Sequence, residues 1–331
     1  MQGKQRIGIF LSGRPGQREL GLRQGEAISA ALARLGHEGV PVFLDQELDL
    51  SVRQARISSA FLALQGRLGD DGCLQGFLEI LGIPYTGCGV TAAAVASHRI
   101  KTKEVLRLHN LPTAAGYVFD GNSGENIVDT HGQFGFPVAL RPVHGRLPFA
   151  ENVAFDELEL ETALDEVVRV DDLALVERHL VGRTLEVGVL DGEPLGALEL
   201  VRSGLAEGPA GVGLTGASVP CRLPAERLRS VLRLATQAYE ALGCTGAALV
   251  HIQVSERGNE ILREVDAMPV MTQASPLPRL AKLAGIGFAE LVGRLLRGAA
   301  LRAQGTRENR RQHQVSFGGP ERRTGPLVTA H

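Results

Sequence analysis

The sequence predicts an α/β unit built on a parallel sheet, followed by two smaller α+β units. Three observations predict it. Residues 1–96 alternate short β-branched runs with helical apolar spacing, a polar stretch over 121–135 interrupts the chain, and two late strand-like runs are joined in hairpin fashion by residues 255–259.

Taken in order, residues 6–11 are an apolar run ending in Ser12-Gly13-Arg14-Pro15-Gly16, and helical spacing follows over 19–35. This reads as strand, glycine turn and helix, the glycines serving a tight turn that needs positive φ. Strand signals recur at 40–44 and 60–64, with a short helix over 74–81. A parallel sheet of this kind binds ligands beyond the C-terminal ends of its strands. The second unit, 97–182, opens with a basic amphipathic helix over 99–109. It continues with a strand over 137–141, a helix to Val168 opened by Asp156 and Glu159 in a capping-box pattern, and an apolar run over 173–176. The third, 183–304, has apolar runs at 185–190 and 195–201, then a Gly- and Ala-rich stretch over 203–216 read as a mobile surface loop. A helix over 224–242 follows, with Pro224 suited to its first turn, then strands at 247–254 and 260–265 and closing helices at 277–284 and 288–301. Residues 305–331 are too poor in apolar groups to pack and read as a disordered tail.

Composition narrows the function classes. The 331 residues carry 35 basic and 37 acidic groups, a net charge of -2, so no excess field draws the chain to nucleic acid or an anionic membrane. The N-terminal apolar run turns polar after Ser12, too short for a signal segment or a bilayer span, which places the chain in the cytoplasm. Cys73, Cys88, Cys221 and Cys244 lack C-x-x-C spacing and read as reduced, small apolar residues.

One run is far more specific. Ala63-Leu64-Gln65-Gly66, Gly69-Asp70-Asp71-Gly72, Leu74-Gln75-Gly76 and the stretch from Leu81 through Gly82-Ile83-Pro84-Tyr85-Thr86 to Gly87 resemble, in order and spacing, a signature region of the D-alanyl-D-alanine ligases. The resemblance continues through residues 136–142, 175–180, 240–244 and 262–269, covering essentially 6–296. It implies a three-domain ATP-grasp fold, α/β and α+β, with an N-terminal parallel α/β (pre-ATP-grasp) domain. It further implies ATP and Mg²⁺ as cofactors, held between the middle and last domains, two D-alanines as substrates, and a homodimer. The family's reaction makes a peptidoglycan precursor: ATP phosphorylates one D-alanine carboxylate, and the amine of the second attacks the acyl phosphate.

Phosphoryl transfer depends on placed charge, and here the sequence departs from the family. The family's acid for the first substrate's ammonium is Gln17, although the neighbouring acid Glu19 is kept, and the family's His-Gly is Gln65-Gly66. Its Asp-Lys is His98-Arg99, and its phosphate-binding Lys is Arg141, so positive charge survives on a longer planar group. The glycine-rich phosphate loop aligns with residues 145–150, where Pro148 has no N–H to give. The lid that normally carries Lys and Tyr aligns with 203–216, which contains neither. The Arg-x-Asp pair for oxyanion and metal is Leu249-Val250-His251, and the Glu-x-Asn pair is Glu264-Val265-Asp266, with Val270 at the family's glycine and Ser275 at a further family position. Glu177 matches the adenine-hinge acid, while Thr184 replaces the ribose-region acid.

These residues predict a catalytically impaired or inactive pseudo-ligase with a binding or regulatory role; the alternative is an active ATP-dependent ligase with unusual site residues. The expected nucleotide residues are Arg99, Arg141 and Glu177. His251, Glu264 and Asp266 are a candidate nitrogen-and-oxygen metal site, or His251 is simply a hydrogen-bonded strand residue. Arg99, Lys101, Lys103 and Arg107 form a helix row that faces either an anion or solvent. A regulatory role implies a cell-wall enzyme as partner.

Overall fold

The computed structural model describes residues 4–13, 17–44, 47–144, 152–202 and 216–303. The readings made for 14–16, 145–150, 203–215 and 305–331 lie outside these residues.

The first unit comprises β1 (Arg6–Ser12), α1 (Arg18–Arg34), β2 (Glu38–Leu44), α2 (Leu48–Ala55), β3 (Ser59–Ala63), α3 (Cys73–Leu81) and α4 (Val90–Ser97). Its sheet has the order β2-β1-β3, with both pairings parallel. β1 and β3 are buried along nearly their whole length, which is why they read as continuous apolar runs rather than alternating ones.

The second unit comprises α5 (Arg99–Leu108), β4 (Gly116–Asp120), α6 (Ile127–His131), β5 (Val138–Pro142), β6 (Asn152–Ala154), α7 (Glu157–Val168) and β7 (Leu173–Arg178). Its antiparallel sheet runs β4-β7-β5-β6. The capping pattern forms: Asp156 Oδ1 accepts the Glu159 N–H at 2.9 Å, and Glu159 Oε2 accepts the Phe155 N–H at 2.7 Å. Within the polar stretch, Asn126 Oδ1 accepts the Val128 N–H at 2.7 Å and starts α6, a helix too short to show periodicity in the sequence.

The third unit comprises β8 (Gly182–Leu190), β9 (Glu193–Arg202), β10 (Gly216–Pro220), α8 (Ala225–Ala241), β11 (Ala247–Ser255), β12 (Glu260–Asp266), α9 (Pro276–Leu283) and α10 (Phe288–Arg297). The antiparallel sheet runs β10-β9-β8-β11-β12, and the expected hairpin joins β11 to β12. One face packs Leu185, Val187, Val250 and Ile252 against Val231, Ala235 and Ala238 of α8. α10 stops at Arg297, short of the expected 301, because Gly298 follows and the chain turns back to the first unit.

That return is pinned by one carboxylate. Glu79 Oε1 accepts the Tyr85 hydroxyl at 2.8 Å and the backbone N–H groups of Arg302 and Ala303 at 2.6 and 3.0 Å. Burial pushes the Glu79 carboxyl up, but these donors more than offset it and hold it below the ordinary range. Glu79→Ala is expected to lower stability by about 1–3 kcal/mol in urea denaturation, since it leaves a buried hydroxyl and two amides without their acceptor. A loss below about 0.5 kcal/mol would show that water replaces the carboxylate.

Among the described residues, no helix is long and apolar enough to cross a membrane. Cys73, Cys88, Cys221 and Cys244, all among the described residues, form no disulfide.

Candidate active site

β5 and β7 pair so that Arg141 faces Leu175 and Ala139 faces Glu177, which makes Arg141 and Glu177 diagonal neighbours on one face of the sheet. α5 presents Arg99 and Lys103 four residues apart, on one helix face. The result is a buried charge network. Glu177 is ion-paired to Arg141 through one oxygen and to Lys103 through the other. Arg141 Nη1 also lies 3.8 Å from Glu264 Oε2, and Arg99 Nη2 lies 3.5 Å from the same oxygen. Arg99 Nη1 donates to the Pro142 carbonyl at 2.6 Å. Lys103 and Glu177 are each 3% exposed, and Arg99 and Arg141 each 7%, so solvent screens these pairs little. Burial alone would raise the Glu177 carboxyl; Arg141 and Lys103 outweigh it and hold it below the usual range.

The basic helix row therefore divides. Arg99 and Lys103 enter the network, Lys101 pairs with Glu104 at 2.8 Å on the surface, and Arg107 donates to Thr113 and Ala114. Lys101 and Arg107 are both exposed, so the solvated-face reading holds for those two. At the start of α5, His98 Nδ1 accepts the Lys101 N–H at 3.4 Å, and its ring meets the His144 ring edge-on with centroids 4.7 Å apart. Burial, then the His144 charge, lowers the His98 pKa.

The face of the third unit's sheet opposite α8 is the floor beneath this network. Leu249, His251 and Gln253 alternate along β11, and the register sets His251 between Glu186 and Glu264, and Leu249 between Gly188 and Asp266. Leu249 is 5% exposed and belongs to an apolar cluster with Leu198 and Leu280, so this position holds a hydrocarbon contact and no cation. Thr184 Oγ donates to Gln253 Oε1 at 2.8 Å. Asp266 Oδ1 accepts the Met268 N–H at 2.9 Å. Among the described residues, no group of three or more His, Cys, Asp and Glu side chains is arranged to hold a metal ion. His251, Glu264 and Asp266 share a sheet face, on which Glu264 is turned onto Arg99 and Arg141.

Beyond this floor, Val270 is half-buried, and Ser275 precedes α9 with its hydroxyl 2.6 Å from that of Thr272. At the parallel sheet, Gln17 precedes α1 and accepts the Ser12 hydroxyl at 2.8 Å, while Gln65 accepts from Gln24 at 3.1 Å. Glu19, the retained acid, is an exposed residue 3.9 Å from Arg23. Gln24, fully buried on α1, is absent from the sequence reading; its signal is a glutamine among the apolar positions of that helix.

Comparison with known proteins bears on this arrangement directly. The sequence pattern described as "D-ala D-ala ligase C-terminus" matches residues 118–297, and the D-alanine–D-alanine ligase of Geotalea uraniireducens (strain Rf4) is 36% identical over 301 residues, 90% of this chain and 96% of that one. The chain belongs to the D-alanine–D-alanine ligase family. The family ligase of Geobacter sulfurreducens is 38% identical over 304 residues, 91% of this chain and 96% of its own. The crystal structure of the Bacillus anthracis D-alanine–D-alanine ligase complexed with ATP superposes with a TM-score of 0.79 at 28% identity, covering 89% of this chain and 97% of that one. The fold is accordingly the ATP-grasp fold of these ligases, with a parallel sheet at the N-terminus and antiparallel sheets after it.

The family implies ATP and Mg²⁺, and the donor set tests the fit. A triphosphate needs cations free to meet it, and Mg²⁺ needs carboxylate oxygens in an octahedral shell. Here Arg141 and Lys103 share the single carboxylate of Glu177, and Glu264 is engaged by two guanidinium groups. Among the described residues, a Mg²⁺-triphosphate would have to displace these ion pairs to meet the cations and Glu264.

Proposed function

We propose that this chain is a ligase-family protein that does not carry out efficient ligation, and that its cleft serves a binding or regulatory role. Leu249 carries the reading: packed on Leu198 and Leu280, it puts hydrocarbon where a donor to the tetrahedral intermediate belongs in the family. Loss of one such donor lowers turnover by about 10²–10³-fold. The pairing of Arg141 and Lys103 with the one carboxylate of Glu177, which holds both cations away from a ligand in this arrangement, supports the same conclusion. We take the boundaries 1–96, 97–182 and 183–304 as its working units, a cytoplasmic location and a homodimer as its setting, and a cell-wall enzyme as the partner of a regulatory role.

A second reading, an active ATP-dependent D-alanine–D-alanine ligase, is favoured by the 36–38% identity to ligases along nearly the whole chain. In that reading Glu177 releases Arg141 and Lys103 when nucleotide enters.

Melting the protein with and without millimolar ATP and Mg²⁺ separates the two, because a ligand selective for the native state raises the midpoint by mass action. The non-ligating reading expects no D-alanine-dependent phosphate release and an unchanged midpoint. A raised midpoint together with such release would establish the second reading.

A further inference from the structure

At the C-terminal end of the parallel sheet, Ser12 ends β1, Gln17 precedes α1, Gln24 lies in α1 and Gln65 follows β3. The amide orientations of Gln24 and, through it, Gln65 are fixed by backbone groups. Gln24 Oε1 accepts the Met271 N–H at 2.8 Å, and Gln24 Nε2 faces the Ala63 carbonyl at 3.4 Å and Gln65 Oε1 at 3.1 Å. A backbone N–H only donates and a carbonyl only accepts, so Gln24 cannot be flipped, and Gln65 must turn its oxygen to Gln24. That leaves Gln65 Nε2 buried without a hydrogen-bond partner.

A second amide stands beside the next residue, Gly66. Gln17 Oε1 is taken by the Ser12 hydroxyl, and Gln17 Nε2 lies 3.2 Å from where a Cβ on Gly66, the residue after Gln65, would sit. Gly66 has φ +84°, so both its backbone and its missing side chain leave this approach open. The hydrogen-bond partners of Gln17, Gln24 and Gln65 are a hydroxyl, backbone groups and one another, with no ion pair to any of them among the described residues.

A buried donor left unmatched costs about 1–3 kcal/mol, an arrangement that a ligand's acceptor relieves. A free ammonium has only donors and cannot pair with either Nε2. A carboxylate would be desolvated without a countercharge. We propose that Gln65 Nε2 and Gln17 Nε2 form a binding site for the uncharged carbonyl oxygen of a small amide or peptide. The inference goes beyond the reading above in naming a ligand chemistry that involves no nucleotide.

The test uses the full chain and N-acetylalaninamide, an uncharged diamide, followed through the side-chain amide NMR signals of Gln17 and Gln65. Saturable shifts of both signals are expected, with none from zwitterionic alanine. Gln65→Met removes the unmatched donor at nearly constant volume and is expected to weaken the diamide by about tenfold. Should Gln65→Met fail to fold, Gln17→Met is expected to give the same weakening. The proposal is overturned if the diamide gives no saturable shift, if alanine binds as tightly, or if the folded variant binds undiminished. None of these outcomes involves ATP, so they leave the non-ligating reading standing or falling on its own test.

Discussion

Glu177→Gln is expected to lower the unfolding free energy by about 3–5 kcal/mol, the range seen when one partner of a buried ion pair is removed. The substitution keeps the shape of the side chain but removes the charge on which Arg141 and Lys103 both depend. Each of those cations is almost wholly excluded from water, and burial already pulls the Lys103 ammonium below its usual range against the charge of Glu177. Urea denaturation with a double-mutant cycle is the measurement: adding Arg141→Met to Glu177→Gln should cost less than the sum of the two single losses, because the second change removes a charge the first has stranded. A pH series gives an independent sign. The Glu177 carboxyl is held below its unfolded value, so its contribution is present above the unfolded carboxylate pKa of about 4.3 and is lost as pH falls from there through the lower folded value. In Glu177→Gln that acid-dependent component should be absent. A loss under about 1 kcal/mol would mean that the cations find other partners, and the description of Glu177 as their shared counterion would fail with it.

Much of this fold is legible in the sequence because its signals are local. β1 and β3 show as apolar runs, α8 shows as a stripe of Val231, Ala235, Ala238 and Tyr239, and the β11–β12 hairpin shows in its polar connection. The elements that escape have physical reasons to do so. α4, reading Val90-Thr91-Ala92-Ala93-Ala94-Val95-Ala96-Ser97, offers no contrast between its faces, and β6 is three residues long. The site is legible as positions but not as partnerships. Arg99, Arg141, Glu177 and Glu264 stand out through the resemblance to the ligase family. That Glu177 holds two cations at once, however, depends on the register of β5 against β7 and on the helix laid over them, neither of which leaves a mark on the sequence. Leu249 shows the converse: a missing charge is plain in the sequence, while the leucine cluster that has taken its place emerges only from two strands and a helix brought together.

Gly182→Ala is the other substitution with a large expected effect, about 3 kcal/mol or more in urea denaturation. Gly182 begins β8 with φ +141°, and a Cβ there would stand 2.2 Å from the Val254 carbonyl oxygen and 2.9 Å from Ser255 Cα. Both obstacles are backbone, so relief requires shifting β11. The ladder that would move pairs Gly182 with Ser255, Thr184 with Gln253 and Glu186 with His251, and those pairs are the cleft floor. Gly192 supplies the control, since it too has positive φ, at +86°, yet a Cβ there meets nothing within 4 Å. Gly192→Ala should therefore lose only the conformational component, about 1–2 kcal/mol. If the two variants lose equal stability, steric collision adds nothing to the φ preference, and the close approach of β8 to β11 does not govern the floor; if Gly182→Ala loses markedly more, the position of His251 and Glu186 rests on a residue that carries no side chain at all.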